Sequence, residues 1–361
     1  MKKGILFLAA FLCAGMAFSQ TTFQTFETRP IQLGTSGGNV NDASRSFCCS
    51  GTLGSLVTKG GVQYILSNNH VLARSGSASP GEAISQPGLI DSSCRVTSAD
   101  TVANFSQAIK LGTGNVDAAL AQVVSGDVAS NGAILAVGVP ASTIATATVG
   151  RGVAKAGRTT GFTCGSIGSV NTNVSVQYQA GCNSGKKFTI SYTNQVVINS
   201  STFSAGGDSG SLIVTTDTAQ PVALLFAGSS STTIGNPITD VVNALGVTFV
   251  GGTTHAVSCT AGAAATQSKG LSAADFHRAL TAKEGHWQDL FQDAAIQGVG
   301  VGEDPANPGQ PAVVIYVEQG RAHGPIPTEL DGVKTVVVMT DRFRASGWNE
   351  SSSTGSSCSR R

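Results

Sequence analysis

Between residues 46 and 250 the chain alternates short apolar runs with clusters of Gly, Asn and Ser. The runs are 51–57, 62–66, 118–124, 187–192, 195–198, 211–214 and 222–227. Runs of this length, rich in β-branched residues and bounded by turn formers, predict β-strands. Their number and spacing predict an all-β sandwich or pair of barrels, closed by a short helix over 239–245. Residues 20–45 are polar and irregular and read as a lead-in. The texture changes at 256–270, where Ala, Gly, Ser and Thr dominate and predict a linker. Beyond it, Leu271, Ala274, Phe276, Leu280, Trp287, Leu290 and Phe291 recur at helical spacing, which predicts two helices broken at Gly285. Three strand-like runs follow at 295–301, 312–317 and 333–339. A small α+β module over 271–345 is therefore expected, followed by a low-complexity tail over 346–361.

Composition narrows the class. Only 12% of residues are charged, against roughly 25% in an average domain. With 45 glycines among 361 residues, the chain suits many tight turns and not a helical bundle. The formal net charge is +1, so nothing favours nucleic acid or an anionic membrane as partner.

The N-terminus points to export. Lys2 and Lys3 precede an apolar run over 5–12, and small residues at Ala17 and Ser19 suit signal-peptidase cleavage after Ser19. The run is shorter than the roughly 20 residues a membrane span needs, and no later stretch qualifies. Leu12 before Cys13 is too large for the usual lipidation motif. The expected location is secreted or periplasmic. Of the eight cysteines, Cys13 falls in the leader. The other seven are Cys48, Cys49, Cys94, Cys164, Cys182, Cys259 and Cys358. An oxidising compartment makes disulfides their default state, and the odd number leaves one thiol over. There is no CxxC or HxxxH spacing, so neither a metal nor any other cofactor is expected. His255, His277, His286 and His323 also lack ligand spacing and are read as non-functional.

Three segments carry candidate chemistry. In the first, a strand runs through Ser67, Asn68 and Asn69 into His70. In the second, Asn115-Val116-Asp117 leads directly into an apolar strand, where a carboxylate can be buried behind an imidazole. Alone, each is more often structural than functional. The third, Ser204-Ala205-Gly206-Gly207-Asp208-Ser209-Gly210, is specific. A serine hydroxyl is a weak nucleophile at neutral pH and needs an adjacent base. It also needs backbone N–H groups converging on the oxyanion that forms. Glycines on both sides of Ser209 let the chain make that turn and leave the site unobstructed. The N–H groups of Gly207 and Ser209 are the expected oxyanion hole.

The order His70, Asp117, Ser209 is that of chymotrypsin-like serine peptidases, and the chain resembles that family over roughly residues 46–250. Residues 51–57 resemble the strand before the catalytic His, and 157–167 resemble a segment of secreted bacterial members of the α-lytic protease and streptogrisin type. The stretch 66–245 also resembles the trypsin-like domain of plant NARROW LEAF 1-type proteins. The resemblance implies two antiparallel six-stranded β-barrels within 46–255, with His70 and Asp117 on the first and Ser209 on the second. It implies a secreted endopeptidase acting on protein or peptide substrates, with Ser209 as nucleophile, His70 as general base and then acid, and Asp117 orienting the imidazole. Asp208 would be buried and ion-paired; where bacterial relatives carry an arginine for it, this chain has Lys155.

Phe203 would lie at the base of the primary pocket, with walls from Phe226, Ala227 and Gly228. Without a buried acid, nothing compensates a desolvated Arg or Lys of the substrate, so a small or medium apolar residue is expected before the scissile bond. The family's cysteine at 154 is Ala154 here. Cys164 is therefore expected to pair with Cys182, closing a hairpin, and Cys94 with Cys49 or Cys48. Two readings compete: a pseudoprotease that retains the barrels for binding, and a protein whose main actor is the C-terminal module.

Overall fold

Side-chain alternation along each strand decides which face it buries, and β11 shows this directly. In its first half Phe188, Ile190 and Tyr192 turn inward while Lys187, Thr189 and Ser191 face solvent; in its second half residues 196–198 are buried on both faces. A period of two on a half-covered sheet gives way to a continuous apolar run where the strand enters a core. The computed structural model describes residues 22–45, 47–182, 184–259 and 270–345. The expected signal peptide and low-complexity tail, Cys13, Cys358 and most of the expected linker fall outside them.

The first sheet contains β1 (Thr35–Asn39), β2 (Gly51–Leu53), β3 (Ser55–Lys59), β4 (Val62–Ser67), β5 (Ala83–Ser85), β6 (Thr101–Ala108) and β7 (Ala119–Val123). Its order is β3-β4-β7-β6-β5-β1-β2. β2 and β3 are two halves of one strand bent at Gly54, whose N–H donates to Leu66 O at 3.1 Å. Counting them once, the sheet closes on itself as a six-stranded antiparallel barrel. Only glycine fits at the bend: a Cβ on Gly54 would lie 1.9 Å from Gly210 O of the second barrel.

The second sheet is built from β8 (Gly152–Gly157), β9 (Gly161–Ser166), β10 (Ser169–Gln179), β11 (Lys187–Asn199), β12 (Leu212–Thr215), β13 (Pro221–Gly228) and β14 (Thr232–Pro237). The order is β10-β11-β14-β13-β12-β8-β9. β9 and β10 form one strand bent across 167–168, where Ile167 N donates to Arg151 O and Gly168 N to Val197 O. Counting that strand once gives a second six-stranded barrel. Helix α1 (Asn69–Leu72) carries His70 off the end of β4, and α2 (Ile238–Leu245) follows β14. The two-residue β15 (Thr248–Phe249) returns to pair with β3. These elements form the all-β pair of barrels that the resemblance implied, one of the two architectures the strand pattern left open.

The C-terminal residues form the expected α+β unit, and it is joined edge to edge with the second barrel. Helix α3 (Ala273–Leu290) packs on β16 (Ile296–Glu303) and β17 (Pro311–Glu318), with the two-residue β18 (Glu329–Leu330) and β19 (Val333–Thr340) completing the sheet. β16 pairs antiparallel with β10, through Ser169↔Gly302 and Val174↔Gly298. The helix corrects one expectation: it runs unbroken through Gly285. An internal glycine costs only about 1 kcal/mol relative to Ala, less than the packing of Ala279 and Ala282 against the sheet contributes. Its start is capped by Ser272, whose hydroxyl accepts from Asp275 N.

The cysteines also correct the sequence reading. Cys48 pairs with Cys94, one of the two partners expected for Cys94. Cys164 pairs with Cys259 and not with Cys182; Cys182 pairs with Cys49. Cys164 lies on β9 opposite Ala154, beside the segment that leaves the barrels. Cys182 sits at the tip of the β10–β11 hairpin and reaches across to the first barrel. Hairpin geometry therefore sends the two cysteines to different neighbours. Among the described residues no helix is long and apolar enough to cross a membrane, and no group of His, Cys, Asp and Glu is arranged to hold a metal ion.

Candidate active site

The site is assembled where the barrels meet. α1 delivers His70 from the first barrel, and the loop into β7 delivers Asp117. His70 Nδ1 lies 2.6 Å from Asp117 Oδ2, and the His70 backbone N–H donates to Oδ1 at 3.2 Å. The carboxylate is fully buried and the imidazole side chain only 7% exposed. With Nδ1–H donating to Asp117, Nε2 carries the lone pair a general base needs.

Asp117 is fixed by groups that no sequence motif marked. Tyr178 OH donates to Oδ2 at 2.8 Å, and Tyr192 OH stands 2.7 Å behind Tyr178. Burial and the nearby Asp117 charge push the Tyr178 phenol well above its ordinary value, so it remains a donor. Asn236 accepts from Asp117 N at 2.9 Å, and Asn68 donates to Asp117 O at 2.7 Å. Tyr178, Tyr192 and Asn236 belong to the second barrel, so both barrels hold the Asp that orients His70. Asn68 was visible beside His70 in the sequence. The two tyrosines lie in ordinary strand patterns, and nothing local distinguished them.

Ser209 sits on the turn before β12 and is 3% exposed. Gly207 and Gly210 adopt φ of +97° and +96°, the region that favours glycine. The turn is tied to the first barrel: Thr52 N donates to Ser209 O at 2.8 Å, and Thr52 Oγ1 to Gly207 O at 3.0 Å. Gly206 O accepts from Thr159 Oγ1 at 2.7 Å, which turns the Gly207 N–H to the opposite side of that planar peptide. Among the described residues, the Gly207 and Ser209 amides have no protein acceptor.

Asp208 is fully buried behind this turn. Its Oδ1 accepts from Thr159 N at 2.7 Å and Thr160 N at 3.2 Å. Its Oδ2 accepts from Thr160 Oγ1 at 2.7 Å and Ala205 N at 2.9 Å. Lys155 Nζ lies 3.4 Å from Oδ2, equally buried, and donates to Gly161 O at 2.9 Å and to Thr160 Oγ1. Burial lowers the Lys155 pKa, and the Asp208 charge opposes that shift. Beside them Arg158 makes a two-pronged contact with Asp91 of the first barrel, both bonds at 2.7 Å. The segment 157–161 thus links the Ser209 turn to both barrels.

The expected pocket residues separate. Phe203 is fully buried among Val153, Ile167, Ile198 and Ile213 in the second barrel's core. Phe226 and Ala227 belong to a different apolar cluster, with Tyr192, Phe343 and Ala345. Gly228 uses both its N–H and its C=O on Arg344.

Two closed six-stranded barrels with His70 and Asp117 on one and Ser209 on the other define the double-barrel fold of chymotrypsin-like serine peptidases. Solved structures with a similar fold include a glutamic acid-specific serine protease at 21% identity, covering 61% of this chain and 100% of that one, TM-score 0.44. Protease A of Thermobifida fusca is 19% identical over 62% of this chain and 99% of its own, TM-score 0.42. An α-lytic protease homologue is 21% identical over 60% and 98%, TM-score 0.41. No protein-family model matches the chain, and no curated protein matches it.

Proposed function

We propose that the protein is an exported serine endopeptidase that hydrolyses peptide bonds through an acyl-enzyme. The observation that carries this reading is the buried Asp117–His70 pair at 2.6 Å, which leaves Nε2 without a hydrogen-bond partner among the described residues and available as a base. In this reading Ser209 Oγ attacks the substrate carbonyl carbon as His70 Nε2 takes its proton. The oxyanion is stabilised by the Gly207 and Ser209 N–H groups, and His70 then returns the proton to the leaving amine. Water enters by the same route and releases the acyl group. Asp117 stays ionised and stabilises the imidazolium. Three disulfides support an oxidising compartment, periplasmic or extracellular.

Lys155 acts in this reading as the partner that holds Asp208, and through it the oxyanion turn. Removing one member of a buried pair leaves an uncompensated charge, so Lys155→Ala is expected to cost about 3–5 kcal/mol of stability and to lower kcat. Denaturant unfolding with parallel kinetics measures both; unchanged values would remove Lys155 from this role.

None of Phe203, Phe226, Ala227 and Gly228 is acidic, which supports a preference for small or medium apolar residues over Arg or Lys. A panel of fluorogenic peptides differing only before the scissile bond is expected to show cleavage after small or medium apolar residues, identified by product mass. Faster cleavage after Arg or Lys would overturn that preference, and no cleavage of any peptide either by the full chain or by a variant in which residues 343–345 are displaced from Ser209 would overturn the peptidase reading.

A further inference from the structure

The segment that follows β19 runs between Gly228 and Gln177 and reaches Ser209. In residues 343–345 every backbone polar group is satisfied, and most partners belong to the second barrel. Arg344 N donates to Gly228 O at 2.9 Å, and Gly228 N donates to Arg344 O at 3.0 Å, an antiparallel exchange at the end of β13. On the other side Gln177 N donates to Phe343 O at 2.9 Å and Ala345 N to Gln177 O at 3.1 Å. Phe343 N donates to Gln297 Oε1 at 2.8 Å. The last carbonyl, Ala345 O, accepts from Ser209 Oγ at 3.1 Å. Phe343 has no exposed surface and Ala345 has 1%.

This contact alters the site. Ser209 gives its hydroxyl to Ala345 O, while His70 Nε2 is buried and has no hydrogen-bond partner among the described residues. The Asp–His half of the triad is formed, and the Ser–His link is not. An entering peptide that adds as a strand beside Gly228 requires the same two backbone groups that Arg344 uses. The strand is also not held as a substrate. Its carbonyl oxygen faces the attacking hydroxyl, whereas the Gly207 and Ser209 amides remain without a protein acceptor.

Resting on the peptidase reading, we propose that residues 343–345 are a tethered inhibitory strand that holds the enzyme latent, and that activity requires its withdrawal from Gly228 and Ser209. The rest of the C-terminal unit need not leave, because β16 anchors it on β10 independently.

The test uses the full chain and two variants. Arg344→Pro removes the N–H given to Gly228 and places a ring against the ladder, with the side chain itself exposed. Phe343→Ala removes the buried anchor. Two quantities are read: the rate at which a fluorophosphonate labels Ser209, and hydrogen exchange at the Gly228 amide. Strand release is expected to expose the Gly228 amide and to raise the labelling rate by about tenfold or more over wild type, with the cooperative melt retained. If the Gly228 amide becomes exposed and labelling proceeds at the wild-type rate, the strand does not inhibit, and the proposal fails while the peptidase reading stands. If neither wild type nor a released variant labels, the peptidase reading fails and the inhibitory role fails with it.

Discussion

Ser209→Ala is expected to lower kcat for peptide hydrolysis by roughly 10⁴–10⁶-fold while leaving the fold intact. The asymmetry follows from what the side chain touches. In the resting chain its hydroxyl makes one hydrogen bond, to Ala345 O at 3.1 Å, and losing a neutral bond of this kind costs about 1 kcal/mol. The backbone of the turn is held by Thr52, Thr159 and the Asp208 network, none of which uses Oγ. A steady-state assay beside a thermal melt checks both halves. Wild type and variant are compared in the same strand-released background, so that Ala345 does not limit either one. Retention of more than about a hundredth of the activity would mean that another group performs the attack.

The second large effect is expected from Asp117→Asn, a fall in kcat of about 10⁴-fold at neutral pH with KM little changed. Oδ2 of Asp117 accepts from both His70 Nδ1 and Tyr178 OH. An amide cannot serve as acceptor at every point of that network. With its NH₂ facing the imidazole, Nδ1 must become the acceptor, which moves the proton to Nε2 and removes the base. With its oxygen facing the imidazole, the geometry survives but the charge that stabilises the imidazolium is gone. Kinetics over a pH series, in the same strand-released background, measure the loss. A fall of less than about tenfold would show that Asp117 does not orient the base, because loss of the base alone typically costs 10²–10⁴-fold.

Much of the architecture was legible because barrel strands carry their own signals. The runs at 62–66, 118–124, 211–214 and 222–227 combine β-branched residues with turn-forming boundaries, and they fall within β4, β7, β12 and β13 or extend a residue or two beyond them. β10 was harder to see: Asn173, Ser175, Gln177 and Gln179 alternate with buried Val174, Val176 and Tyr178, so its polar positions hide it. The helix was misread at Gly285 because a glycine marks a break only when packing does not override its cost. Disulfide pairing failed for Cys164 and Cys182 because pairing depends on tertiary proximity; the hairpin carries Cys182 to Cys49 across the barrel interface.

At the site, local sequence placed His70, Asp117 and the Gly-rich turn around Ser209. It could not show Tyr178, Asn236, Thr52 or the Arg158–Asp91 link, which approach only through folding. Nor could it place Phe203, which the resemblance implied as a pocket floor and which lies fully buried in the barrel core. The inhibitory strand was invisible for the same reason. Phe343, Arg344 and Ala345 follow β19 without any motif, and only the pairing of β16 with β10 brings them to Gly228.

The central claim, that Ser209 is an activated nucleophile, is tested most directly by treating the Arg344→Pro chain with a fluorophosphonate and mapping the adduct by mass spectrometry. The account predicts a single adduct on Ser209, absent in the Ser209→Ala version and strongly slowed by Asp117→Asn. No adduct, or an adduct elsewhere that survives Ser209→Ala, would contradict it.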